Sequence, residues 1–140
     1  MSKIALYDTE NITVEYWPDK RFIYHTIHQP MSTHLPEFKE ALDIGTAALE
    51  QYKLCKWLSD DRKNDQLTKE GSEWAFLDWQ PRTMKAGWKY WASVVPQDVV
   101  AAGTLASVID QLFERGLRML LFSDVEQAMA WLDKIPEPTA

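Results

Sequence analysis

From Arg21 onward, apolar β-rich runs alternate with amphipathic helical stretches four times, and no other feature constrains the fold as strongly. Phe22, Ile23, Tyr24, Thr26 and Ile27 belong to a strand that begins at Arg21. The spacing of Phe38, Ala41, Leu42, Gly45, Ala48, Leu49 and Tyr52 predicts a helix over 35–52, capped by Ser32 or Thr33. Residues 54–59 read as the next strand. Thr68 caps a helix running towards Lys85, with Trp74, Leu77 and Met84 on its core face, Phe76 and Trp79 elsewhere, and Pro81 kinking or interrupting it. Residues 88–95 form a strand closed by Pro96. Residues 97–115 read as one helix with Val99, Gly103, Ala106, Ile109 and Phe113 in phase. The almost wholly apolar run 117–122 suits a strand covered on both faces. Ser123 or Asp124 caps a last helix, whose core face is Val125, Ala128, Met129, Leu132 and Ile135.

Upstream, residues 3–8 and 12–17 are short strands that join the Arg21 strand in a meander with one wet face. The predicted fold is therefore α/β: a single layered domain over 1–140, ordered from about residue 3 to 135, with a mixed, mostly parallel sheet of about five or six strands and about four helices. Right-handed crossovers are expected, with ligands meeting the carboxyl ends of the strands.

A length of 140 residues suits one core, and seven tryptophans with 46% hydrophobic residues argue against disorder. The net charge of -6 opposes general affinity for nucleic acid or anionic membrane. No stretch is apolar for long enough to span a bilayer, and MSKIALYDTE has no extended apolar region. The single Cys55 cannot form an internal disulfide. A cytoplasmic location is expected.

The run KWLSDDRKND, 56–65, ends an apolar strand in a knot of charge. Asp60, Asp61 and Asp65 beside Arg62 suit a general base or a cation site, or else the polar end of a sheet where loop amides and the arginine satisfy the acids. Neighbouring aspartates in an extended segment point to opposite faces, so Asp60 and Asp61 do not readily share one ion. Thr68 with Glu70 and Glu73 reads as a helix start, and those acids spoil it for anions. His25, His28, His34 and Cys55 match no metal-ligand spacing. No glycine-rich phosphate loop or Gly-x-Ser-x-Gly elbow is present, so no cofactor is expected. Trp79, Trp88 and Trp91 are a surplus of aromatics. They either cover the sheet or supply a second surface, as a dimer seam or an apolar pocket rimmed by Arg82 and Lys85.

WLSDDR at 57–62, EWAFLDWQPRTMKAGWKYWASVV at 73–95 and LLFSDVEQAMAWL at 120–132 resemble the STAS-type domains, the fold group of bacterial anti-sigma-factor antagonists, and more closely the small uncharacterised bacterial STAS-like proteins. The likeness runs from about residue 10 to 135 by element order. It implies a non-enzymatic interaction or ligand-sensing domain. Antagonists of the sporulation type carry an Asp-Ser-Ser/Thr-Gly turn at the start of the second helix. Here that region is DDRKNDQLTKEGSEW, which lacks the turn, so the phosphoswitch is not carried over to Ser59 or Thr68.

Three functions follow. The first is a regulatory module that binds a protein partner or itself as a homodimer through the second helix. The alternative is a small-molecule or lipid binder with an apolar pocket between sheet and helices. The third is an enzyme using Asp60 or Asp61 as a base.

Overall fold

Ile12, Val14 and Tyr16 alternate with Thr13, Glu15 and Trp17 along β2 (Ile12–Trp17); the first set is buried and the second half-buried. This period of two makes one face of the strand apolar, and the face is covered by α1 (Leu35–Gln51). β2 sits between β1 (Ile4–Asp8) and β3 (Phe22–Ile27) in an antiparallel meander. The β2–β3 turn closes with Arg21 in the left-handed region at φ 59, and the Arg21 and Lys20 amides both donate to Trp17 O.

The computed structural model describes residues 3–137. Beyond the meander come β4 (Lys56–Asp60), β5 (Tyr90–Val94) and β6 (Arg118–Phe122), each parallel to its predecessor. The described residues thus form one mixed, mostly parallel six-stranded sheet in the order β1-β2-β3-β4-β5-β6. Each parallel connection carries helix: α1 before β4; α2 (Lys69–Glu73), a π-helical segment (Trp74–Trp79) and α3 (Gln80–Lys85) before β5; α4 (Gln97–Ala102) and α5 (Ala106–Glu114) before β6. The last helix, α6 (Val125–Asp133), follows β6.

Two apolar layers result. On one face Phe38, Leu42 and Leu49 of α1, Trp79 and Leu112 pack over Ile23, Trp57 and Met119. On the other, Ala128 and Leu132 of α6 pack on Phe22, Leu58, Ala92 and Val94. Asp124 caps α6 by accepting from the Gln127 amide, and Thr68 caps α2 by accepting from the Gly71 amide. No helix among the described residues is long and apolar enough to cross a membrane.

Three local expectations are corrected. Neither Ser32 nor Thr33 caps α1. Met31–Thr33 form a 3₁₀ turn, Ser32 is bound through N and Oγ to the Asp65 carboxylate, and Pro36 occupies the first turn of α1, where a missing N–H costs little.

The second helix is not α-helical throughout. Its middle, Trp74–Trp79, has i→i+5 bonding, and the Gln80 amide donates to Ala75 O. A five-residue repeat puts Trp74 and Trp79 on one face, with rings stacked at 6.4 Å and 17°. Trp79 is consequently buried (2% exposed), whereas Leu77, which a 3.6-residue period places in the core, is 69% exposed. The wide ladder gives out at Pro81, which has no N–H to continue it and sits in the first turn of α3, so the expected kink or interruption is replaced by a change of helix type.

Residues 97–115 form two helices rather than one. Gly103 ends α4 in the left-handed region at φ 66, and the chain restarts in a new phase. Leu112 therefore enters the core while Phe113 is 62% exposed.

Candidate functional site

A parallel ladder sets the side chains of one face in rows. On the face under α1, Ile23, Trp57, Trp91 and Met119 make one row across β3 to β6. His25, Ser59 and Ser93 lie in the next row towards the carboxyl ends, all three buried. The tryptophans reach forward and one strand back. Trp57 Nε1 donates to His25 Nδ1 at 2.9 Å, and Trp91 Nε1 donates to Ser59 Oγ at 2.8 Å.

Asp61 follows β4 directly. Its amide donates to Val94 O at 2.8 Å, which carries its carboxylate onto the polar row. Oδ1 accepts from His25 Nε2 at 2.9 Å, while Oδ2 accepts from Ser59 Oγ at 2.7 Å and Ser93 Oγ at 2.9 Å. An indole N–H only donates, so His25 Nδ1 must accept, and the ring proton is on Nε2 facing Asp61. Burial pushes the Asp61 carboxyl up, but the bonds from His25, Ser59 and Ser93 outweigh it and hold the group below the usual carboxylate range.

Serine, histidine and aspartate are thus gathered, yet not wired for nucleophilic catalysis. A relay needs serine hydrogen-bonded to an imidazole that a carboxylate orients from behind. Here both serines donate to the carboxylate, and both imidazole nitrogens are engaged by Trp57 and Asp61. The arrangement is a rigid polar platform.

Above it lies a cavity of about 820 Å³. Phe38 and Leu42 of α1 form one wall. Phe76, Trp79 and Gln80 of the second helical stretch form another. Val95, Val99 and Val108 close the β5–β6 side, and Asn64 to Leu67 edge the mouth. Loops after β4 and β5 contribute, so the cavity sits at the carboxyl ends of the parallel strands, where open α/β sheets bind ligands. Gln80 is 7% exposed, and its Oε1 has no hydrogen-bond partner.

The predicted site residues separate into different places. Asp61, Trp79 and Trp91 line the cavity. Asp60 points to the opposite face from Asp61 and holds Arg62, with Arg62 Nε to Oδ1 at 2.9 Å and Nη2 to Oδ2 at 2.7 Å. That arginine edges a separate groove beside α6. Thr68 is occupied as a cap, outside the cavity. Arg82 and Lys85 do not rim it: Arg82 pairs with Asp43 at 2.8 Å and Asp78 at 3.0 Å on the outer face, and Lys85 is exposed. Nor do Trp79 and Trp88 form an outer surface. They are 2% and 1% exposed, in a cluster with Trp57, Trp74 and Trp91 whose ring centroids lie 5.0–6.4 Å apart. Trp91 is half-buried.

His25, Ser59, Ser93 and Gln80 were not singled out together from the sequence. The signal for the first three was one polar residue facing inwards near the end of each of three apolar strands. Among the described residues, no three His, Cys, Asp or Glu side chains are grouped to hold a metal ion. No family model, curated protein or solved structure matches the chain.

Proposed function

We propose that this chain is a non-enzymatic, STAS-like ligand-sensing domain whose cavity holds a small, largely apolar molecule. The observation that carries the reading is the cavity itself. Its volume of about 820 Å³ lies within the ~300–1,000 Å³ usual for ligand pockets, and its walls are aromatic and aliphatic over a fixed polar floor. The engagement of both His25 nitrogens supports binding over catalysis, because the imidazole has no free nitrogen to act as a base. The element order supports the STAS-like resemblance, and a cytoplasmic location belongs to the same proposal.

Native mass spectrometry of protein purified from cells tests the reading. The expected result is a retained non-covalent mass that is lost in Val108→Phe, where the added ring fills the cavity. A clean apo mass, together with no thermal shift from a panel of apolar probes, would overturn it.

A second reading, a protein-interaction module that dimerises or meets a regulatory partner, is favoured by Leu77 and Phe113, both large, apolar and exposed. Light scattering decides it: a dimer converted to monomer by Leu77→Glu supports that reading, and a monomeric wild type with no partner counts against it.

A further inference from the structure

Trp79, Trp91, Ser93 and His25 of the cavity wall have already committed their side-chain hydrogen-bond donors. Trp79 Nε1 donates to Thr46 Oγ1 at 2.9 Å, and Trp91 Nε1 donates to Ser59 Oγ. The Ser93 hydroxyl and the His25 Nε2 proton are both directed at Asp61. What Asp61 still has to offer is acceptance. A carboxylate has about four acceptor positions, and three at Asp61 are taken. Its side chain keeps 21% of its surface exposed.

The charge pattern points the same way. No lysine or arginine lines the cavity, whereas Asp61 and Asp65 do. An anionic headgroup, whether fatty-acid carboxylate or phosphate, would meet two acids and no counter-charge. A cation would meet a carboxylate and the π systems of Trp79, Trp91 and Phe38, which attract positive charge.

From these observations we infer that the cavity selects a protonated amine carried on a flat apolar body, an arylalkylamine in chemical class. This rests on the ligand-binding reading above and narrows it: Asp61 reads the ammonium, and the aromatic wall takes the ring.

Calorimetric titration of the full chain with three probes sharing one ring tests the inference: tryptamine, neutral 3-ethylindole and indole-3-propionate. Tryptamine should bind about tenfold more tightly than 3-ethylindole, and the carboxylate should bind weakest. In Asp61→Asn the amine's advantage should shrink to about threefold or less, while 3-ethylindole binds as before. The wild-type ranking decides the matter even if a variant fails to fold. Equal affinities, or a carboxylate that binds best, would overturn the amine inference and leave the cavity reading standing. No binding by any of the three, the neutral ring included, would overturn both.

Discussion

Trp57 and Trp91 are register partners on β4 and β5, and each sends its indole N–H one strand back and one row forward, to His25 and to Ser59. The repetition ties the aromatic row to the polar row. It orients the imidazole and a serine through groups that lie within the core, so the floor of the cavity is set before any ligand arrives.

The tautomer of His25 is the most direct check. ¹⁵N NMR of the imidazoles should show His25 protonated at Nε2 and bare at Nδ1. Trp57→Phe leaves that nitrogen buried without a donor and should cost about 1–3 kcal/mol in urea denaturation, beyond the effect of the smaller ring.

Asp61→Asn should show a pH-dependent cost. A carboxyl held below its ordinary value of 3.8 stabilises the fold above that pH, and the contribution is lost as pH falls through the native value. The variant should therefore be less stable than the wild type at pH 7, by about 1.5–3 kcal/mol for a charged hydrogen-bonded group, with the gap closing on acidification below about pH 3.8. A gap that stays constant from pH 7 to 2 would refute this.

The π-helical phase is tested by two substitutions two residues apart. Leu77→Glu sits on an exposed position and should change stability by less than about 0.5 kcal/mol. Trp79→Ala empties the centre of the tryptophan cluster and should cost about 3–5 kcal/mol. An unbroken α-helix with Leu77 in the core would give the reverse order.

Gly45 places the α1 backbone directly against the Trp57 ring. A Cβ there would stand 2.5 Å from the Trp57 ring. Gly45→Ala should destabilise by about 1–3 kcal/mol despite the better helix propensity of alanine, and chemical denaturation would show it.

Cys55 is 2% exposed, and burial, with Glu137 adding to it, pushes its thiol up despite the opposing Lys56 charge. Thiol reagents should leave the native protein largely unlabelled at pH 8 and react readily once it is unfolded. Rapid native labelling would contradict the placement.

The order of elements was legible because strands and helices differ in period, and that difference is local to each segment. The core face of α1, from Phe38 to Leu49, was legible for the same reason. What escaped were features that local period does not encode. The row of His25, Ser59 and Ser93 depends on the register of parallel strands, which the intervening helices set. The phase error at Leu77 and Trp79 came from assuming 3.6 residues per turn where the chain takes a wider one, although the five-residue spacing of Trp74 and Trp79 was there to see. Spacing puts Gly103 in phase with the core positions, yet its left-handed backbone ends α4. Asp61 was visible as a charged neighbour of Arg62, but its true partners lie on three different strands and could not be read from the knot itself.

The strand order also bears on how the chain is made. Every strand of the sheet lies beside the one just before it in sequence. No strand has to be threaded between two that are already paired, and each closure spans one helical connection at most. During synthesis a new strand can dock on a waiting edge as it leaves the ribosome, which keeps loop-closure entropy small and shortens the time for which an unpaired edge is open to aggregation.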